Sequence, residues 1–283
     1  MPPGARASDL LRRAALELGR HGVPDAEKES ELLICEAAGL DRVALYRDDP
    51  EVSAEAEALL MEALRRRSLR EPIQYITGRA DFFGLSLRVG PGVLVPRPET
   101  ELVVEEALGA LSGLRSPLVL DLCAGSGAIA LAIARGVPGA RVIATDVSAE
   151  ALRFARENAA LAGAGNVELR QGSLFEPVSE TGFDCVVSNP PYVESGVIDT
   201  LEPEVRQWEP RGALDGGPDG LRFYRLIIPE AARRLAPGGW LVLEVGGRAA
   251  EIGEMARLAG LAAVSVRKDL AGLDRVLRAR RPA

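Results

Sequence analysis

From Pro117 onward, short apolar runs alternate with helix-patterned segments, and this alternation limits the chain to a few architectures. Strands are predicted at 117–122, 141–146, 166–171, 183–188, 239–245, 262–268 and 274–279. Helices are predicted at 126–135, 149–162, 221–235 and 248–259. Repeated βα units of this kind build an open, mostly parallel α/β sheet with helices on both faces, a Rossmann-like fold. Ligands of such sheets bind outside the carboxyl ends of the strands, so the loops at those ends carry the functional information.

The preceding stretch has a different texture. Residues 8 to about 70 read as helical. Ser8 is placed to cap a helix whose apolar positions Leu10, Leu11, Ala14, Ala15 and Leu18 recur at helical spacing, with Gly19 and Gly22 ending it. Pro24-Asp25 opens a second helix with Leu32, Leu33, Cys35 and Ala37 among its apolar residues, and a short third element runs from Asp41 to Tyr46. Ser53 is placed to cap a fourth, Ala54 to Leu69, which ends in Arg65-Arg66-Arg67 and Arg70. That basic run is read as a solvated helix end favoured by the macrodipole, with contact to an acidic partner as the alternative. At Glu71-Pro72 the pattern changes. Ile73 to Ile76, Phe82 to Val89 and Val93 to Val95 are predicted as short strands between glycines, a linker with a hairpin. Pro96-Arg97-Pro98-Glu99-Thr100-Glu101 then opens a helix to about Leu111. The expected division is 1–72, a helical bundle; 73–98, a β-hairpin linker; and 99–283, the α/β domain.

With 283 residues, 47% of them hydrophobic and 27% charged, the chain can bury a core without staples. Cys35, Cys123 and Cys185 are odd in number, far apart and without metal-site spacing, which fits a reducing cytosol rather than a disulfide framework. No apolar run approaches the roughly 20 residues of a membrane span, and Met1 to Ser8 lacks an apolar signal core. A cytoplasmic protein is expected. The net charge of −7 argues against wrapping a nucleic-acid backbone. The single histidine, His21, sits near a predicted helix end and reads as a capping or surface residue.

Leu118 to Gly127 is a strand running into a Gly-rich turn and then a helix. Gly125 and Gly127 permit a tight backbone and close ligand approach. A second strand ends in Asp146, placed to accept two ribose hydroxyls. Gly125-x-Gly127-x-x-Ala130 also satisfies the loose dinucleotide fingerprint. Asp121, at the end of the first strand, tilts the reading away from NAD. A carboxylate there would repel a pyrophosphate but welcome, directly or through water, the cationic amino-acid end of S-adenosylmethionine. Gln171-Gly172-Ser173-Leu174-Phe175 covers the adenine in this layout. There Leu174 packs on the base, Ser173 meets its exocyclic amine, and Phe175 belongs to the core.

The second tilt comes from Asn189-Pro190-Pro191-Tyr192, directly after the strand Phe183 to Val187. Such a turn is built to hold a planar –NH2 group. The Asn189 side-chain oxygen accepts one N–H and the Pro190 carbonyl the other. Pro191 holds Pro190 extended, and Tyr192 offers a flat face for stacking. Standing alone the motif would be a surface turn; beside the cofactor loop it reads as a catalytic and substrate-binding clamp.

With these residues together, the chain resembles the release-factor glutamine methyltransferases (the PrmC/HemK family) of class I S-adenosylmethionine-dependent methyltransferases. The similarity spans nearly the whole chain. It runs through Glu71 to Gly78, Phe82-Phe83-Gly84-Leu85, Pro96 to Glu101, Asp121 to Gly127, Asp146 and Asn189 to Tyr192, and on through Glu209-Pro210, Ala213-Leu214 and Gly217-x-Asp219-Gly220-Leu221. Asn-Pro-Pro-Tyr is shared with DNA adenine methyltransferases; the linker motif and Arg97 to Glu101 are more specific. The resemblance implies a helical bundle, a hairpin linker and a seven-stranded methyltransferase domain. It implies as partner substrate the glutamine of the Gly-Gly-Gln motif in class I peptide release factors, held by Asn189 to Tyr192. It assigns the cofactor, S-adenosylmethionine, to Cys123, Ala124, Gly125, Ser126, Gly127, Asp146, Leu174 and Asn189, to which the reading of the loops adds Asp121 and Ser173. Two positions depart from the family: Ser173 stands where an acidic residue is usual, and Gly247-Arg248-Ala249 supplies no Gln after Glu244-Val245-Gly246.

The competing readings are methylation of a glutamine in a ribosomal protein, methylation of an exocyclic amine in DNA or RNA, a non-catalytic binding module, and a nicotinamide oxidoreductase. A monomer acting on protein through the helical bundle is expected, with no metal, no nucleic acid and no membrane.

Overall fold

The computed structural model describes residues 5–283, so the part of the Met1 to Ser8 reading that falls on residues 1–4 lies outside the described residues. The chain divides into two compact units, one of residues up to Gly78 together with Glu202–Trp208, the other of Arg79–Leu201 and Glu209–Ala283. No described helix is long and apolar enough to cross a membrane.

The smaller unit is helical. It holds α1 (Ala7–Arg20), α2 (Ala26–Ala38), α3 (Arg42–Asp48), α4 (Ala54–Ser68) and α5 (Ile73–Thr77). Leu10, Leu18, Leu33, Ile34 and Leu60 bury the apolar stripes of α1, α2 and α4 against one another, while Leu32, counted among the apolar face, is exposed. Ser53 caps α4 by accepting from the Ala56 amide, and Asp41 caps α3 through Ala44. Ser8 does not cap α1. The N-cap is Arg6, and Ser8 in the first turn donates its amide (2.8 Å) and hydroxyl (3.0 Å) to Asp49, a carboxylate from the end of α3. His21 is the C-cap residue of α1.

The strand predicted at Ile73 to Ile76 is a correction: these residues form α5. Pro72 sets the entry, Gly78 closes the end in the left-handed region (φ 72°), and the Thr77 hydroxyl donates back to the Ile73 carbonyl. Burial of Tyr75 overrides the β-preference of the isoleucines.

In the larger unit β1 (Arg79–Phe82) and β2 (Leu85–Arg88) form an antiparallel hairpin. Its two-residue turn, Phe83-Gly84, has φ 48° and 71°, the type I′ signature that matches strand twist. Val93 to Val95, also predicted as strand, is not one. After a 3-10 turn at Pro98–Thr100 the chain forms α6 (Glu101–Ala110), β3 (Leu118–Leu122), α7 (Ala128–Gly136), β4 (Arg141–Asp146), α8 (Ala149–Ala162), β5 (Val167–Gln171) and β6 (Phe183–Ser188). It then contributes α9 (Pro203–Trp208) to the helical unit. It returns through α10 (Arg222–Arg234), β7 (Leu235–Glu244), α11 (Ala249–Leu258), β8 (Ala262–Lys268) and β9 (Asp274–Arg280).

The seven-stranded sheet runs β5-β4-β3-β6-β7-β9-β8, parallel through β7, with β9 antiparallel to β7 and to β8. Side-chain alternation sorts its core onto two faces. Val119, Val142, Cys185 and Val187 pack with α6, α7 and the hairpin's Phe82 and Leu87; Leu120, Ile143, Val186 and Leu241 pack with Tyr224, Ile227 and Ile252 of α10 and α11. The order reverses at β3, whose neighbours are β4 and β6, so a switch point opens at the carboxyl ends of β3 and β6.

In the helical unit the basic end of α4 is not a solvated face, apart from Arg65, which pairs with Glu62 at the surface. Arg67 is only 3% exposed and meets Glu29 of α2 and Glu204 of α9. Arg66 forks onto Glu71, and Arg70 onto Glu204 at 2.6 and 2.7 Å. Trp208 donates its indole N–H to the Leu69 carbonyl.

Candidate functional site

At the switch point the register is fixed. Asp121 pairs with Val187 and Leu122 with Ser188, so the Gly-rich loop and the Asn-Pro-Pro-Tyr turn leave the sheet at one level. The Ser188 hydroxyl donates to the Leu122 carbonyl at 2.7 Å and ties the two departures together. Between them lies a cavity of about 210 Å³.

One wall is the loop from β3 to α7. Cys123, Ala124, Gly125 and Ser126 line it. Its tight course uses three left-handed residues: Cys123 (φ 60°), Gly125 (57°) and Gly127 (83°). Cys123 holds a conformation that costs a side-chain-bearing residue strain, and burial pushes its thiol pKa up. Gly127, the N-cap residue of α7, does not line the cavity, but a Cβ there would touch Ala155 and Leu131 at 3.4 Å. Asp146, at the end of β4, lines the cavity and braces the loop. Its carboxylate accepts from the Gly125 amide (2.9 Å) and the Ser148 amide (2.8 Å), and burial raises its pKa despite these bonds. Ser173 and Leu174 line the cavity from the loop after β5, which the Thr145 hydroxyl fastens by donating to the Leu174 carbonyl. Phe175 is in the core.

Asp121 departs from expectation. Its side chain is wholly buried and does not line the cavity, because its register with Val187 places it inside the sheet. One oxygen accepts from the Ala130 amide in the first turn of α7. The other, Oδ1, is the one buried side-chain polar atom without a partner among the described residues. Burial pushes its pKa up to about 8, with the Ala130 bond opposing. In this arrangement Asp121 touches the first turn of α7 and not the cavity.

Asn189 and Pro191 line the cavity; Pro190 is buried and does not. Tyr192 is a second correction. Rather than offering a face to this cavity, it borders a second one with Asp219, Tyr224 and Arg248. Its ring lies so close to Gly246 that a Cβ there would come within 2.2 Å of it. Its hydroxyl donates to Glu244 Oε1 at 3.2 Å, and burial, then the Glu244 charge, raises its pKa.

Two residues were quoted from sequence without a role. Thr100 lines the cavity, donates its hydroxyl to Glu244 Oε2 (2.6 Å) and accepts from Asn189 Nδ2 (3.2 Å). Arg97 also lines it and is tied to Glu209, whose other oxygen accepts from the Val95 amide. Pro210, Ala213 and Phe223 complete the wall and were not foreseen as site residues. The Pro96 to Glu101 and Glu209-Pro210 motifs were the available signal.

The residues fit S-adenosylmethionine. The left-handed loop brings backbone close, Asp146 presents oxygens to the cavity, and the buried Oδ1 of Asp121 behind the loop has no partner among the described residues. Among the described residues no His, Cys, Asp and Glu cluster could hold a metal ion.

Family models agree with this architecture: the PrmC N-terminal domain matches residues 9–78 and the methyltransferase small domain residues 100–202. The release factor glutamine methyltransferase of Geobacter sulfurreducens is 45% identical over 262 residues, 92% of this chain and 91% of the relative. The protein of the same name from Deinococcus radiodurans is 44% identical over 275 residues, 96% of this chain and 98% of the relative. A methyltransferase from Pyrococcus furiosus matches in fold at 21% identity, covering 82% of this chain and 100% of that one, with a TM-score of 0.53.

Proposed function

We propose that this chain, which belongs to the release factor glutamine methyltransferase family, methylates the side-chain amide nitrogen of the glutamine in the Gly-Gly-Gln motif of class I peptide release factors, using S-adenosylmethionine. The observation that carries the reading is the shared level of the cofactor loop and Asn189, with both lining one cavity.

S-adenosylmethionine supplies an electrophilic methyl group on a sulfonium when bound. Cys123 to Ser126, Asp146, Ser173 and Leu174 would hold it. Asp146 would accept from the ribose hydroxyls with the lone pairs its two amide bonds leave free. A glutamine nitrogen is a weak nucleophile, because its lone pair is shared with the carbonyl. Asn189 Oδ1 and the Pro190 carbonyl accept its two N–H groups and hold its lone-pair face toward the cavity. In well-aligned cases orientation supplies roughly 7–11 kcal/mol. As the nitrogen gains its fourth bond it becomes cationic, and the same two acceptors bind it more strongly than the neutral amide, which is differential binding. The extra proton then leaves to solvent. Tyr192 acts from behind the clamp, through Glu244 and Gly246, rather than by stacking.

A pocket that reads one side chain does not choose a protein. That choice is assigned to the helical bundle, residues 1–72, as the docking part. The residues to 98 join it to the methyltransferase part, 99–283. The enzyme is read as a cytoplasmic monomer.

The test is transfer of labelled methyl to purified release factor, to its Gly-Gly-Gln→Gly-Gly-Ala variant, to ribosomes and to DNA. Label entering the release factor alone is expected. Label in ribosomes or DNA would move the substrate to another class and overturn the assignment.

A further inference from the structure

Glu244, at the end of β7, is 1% exposed. Its two oxygens accept from different hydroxyls, Oε2 from Thr100 and Oε1 from Tyr192. No arginine or lysine touches it among the described residues; burial raises its pKa, against the bonds from Thr100 and Tyr192 and the more distant charge of Arg275. Such a carboxylate is no part of the amide clamp, yet it sits two hydrogen bonds from it.

The direction of those bonds has a consequence. An ionised carboxylate only accepts. The Thr100 hydroxyl spends its one proton on Glu244, at 2.6 Å. Toward Asn189 the Thr100 oxygen then has only lone pairs to offer, and the neighbouring atom of Asn189, at 3.2 Å, has to be its –NH2. The amide oxygen is left as the end that faces away from Thr100. Without this chain an asparagine amide can turn over by 180° and exchange an acceptor for a donor of nearly the same shape.

We propose that Glu244 and Thr100 are positioning residues that fix which end of the Asn189 amide faces the substrate, and that this polarity makes the clamp select an amide over a carboxylate. The inference rests on the glutamine reading above. An outward Oδ1 accepts from a glutamine –NH2. The same oxygen repels a glutamate, which has no proton to give, whereas a flipped amide would welcome one. Sites that use a buried polar group to read a hydrogen bond discriminate strongly against the partner that lacks it. Thr100 belongs to the stretch before α6 and Glu244 to β7, 144 residues later, so the lock is made only by the fold.

The test compares full-length wild type with Thr100→Val, Thr100→Ser and Glu244→Leu. For each, the KM for release factor is set against the inhibition constant of a release factor carrying Gly-Gly-Glu in place of Gly-Gly-Gln. Thr100→Val keeps the side-chain shape and removes the relay. It is expected to lower the preference for glutamine over glutamate by roughly tenfold or more, with cofactor affinity within about twofold of wild type. Thr100→Ser, which keeps the hydroxyl, restores the preference, and Glu244→Leu loses it as Thr100→Val does. An unchanged preference in Thr100→Val overturns the proposal.

A measurement on the wild type alone guards against variants that fail to fold. The chain has three asparagines, Asn158, Asn166 and Asn189, so labelling asparagine with nitrogen-15 gives three side-chain amides. An Asn189 amide proton held by Thr100 should be protected from exchange with solvent; two freely exchanging protons would refute the lock. If wild type failed to methylate the release factor, the functional reading would fall. The exchange pattern would still decide the direction of the Asn189 bond.

Discussion

Arg67 in the helical unit is nearly buried and touches the carboxylates of Glu29 and Glu204, whereas Asp121, Asp146 and Glu244 in the sheet unit are buried or nearly so and touch no arginine or lysine among the described residues. Glu204 and the three acids of the sheet unit respond in opposite directions. Burial opposes the charge of Glu204, but the bonds from Arg70 and Arg67 outweigh it and hold its pKa below the ordinary value. Burial raises Asp121, Asp146 and Glu244 despite their hydrogen bonds. Paired buried charges make an inert joint. Buried acids without a cation are costly at neutral pH and persist where a ligand will change their surroundings. That contrast separates packing from function inside one chain.

The sharpest way to break the comparison is Arg67→Met. Removing one partner of a buried pair typically costs about 3–5 kcal/mol; here it leaves Glu29 without Arg67 and Glu204 with Arg70 alone. Denaturant unfolding should show the loss. A change within experimental error would mean that water reaches these carboxylates and that the joint is not held by charge.

Next in size is Asn189→Ala. Loss of one preorganised group facing developing charge lowers turnover by about 10²–10³-fold. Calorimetry should find S-adenosylmethionine binding largely kept, since the opposite wall of the cavity is intact. Turnover near wild type would remove the amide clamp from the mechanism.

The effect that is smallest per step of the experiment is a slope with pH. Asp121 has its pKa raised from 3.8 to about 8 in the folded protein. A raised acid binds its proton more tightly when folded, so its contribution to stability is whole below the ordinary value and is lost as pH rises toward the folded one. Between those limits the cofactor-free protein should lose up to about 1.4 kcal/mol per pH unit through this group. Asp121→Asn, which mimics the neutral acid in shape, should flatten the slope in thermal melts taken across that window. A variant as steep as wild type would place the titration elsewhere.

The same contrast explains what sequence could and could not reveal. The strands at 141–146, 183–188 and 262–268 and the helix at 149–162 match the structure residue for residue. Their periodicity and flanking turn residues are local signals. Cys123 to Ser126, Asp146, Ser173, Leu174 and Asn189, singled out from sequence, line one cavity, because each sits at a strand's carboxyl end where the fold class already directs attention. The errors are long-range. Arg67 and Arg70 looked solvated because Glu204, a partner 134 residues from Arg70, cannot be seen in the local pattern. Tyr192 looked like a stacking face because nothing near it in sequence announces Gly246 and Glu244. Ile73 to Ile76 failed differently: intrinsic preference pointed to strand, while Pro72, Gly78 and the burial of Tyr75 chose a helical turn.

The excursion of Glu202–Trp208 into the helical unit bears on how such a protein can be divided. The backbone passes between the units three times, after residues 78, 201 and 208. Cutting at the first passage yields neither a whole front piece nor a whole back piece. A fragment ending at Gly78 lacks the carboxylate that Arg67 and Arg70 share, and the remainder carries an orphaned segment. The two units are therefore not consecutive in the sequence. A chimera that swaps the helical unit must carry that unit's own segment, Glu202–Trp208, with it, and in descent the segment and the front helices are expected to change as a matched pair.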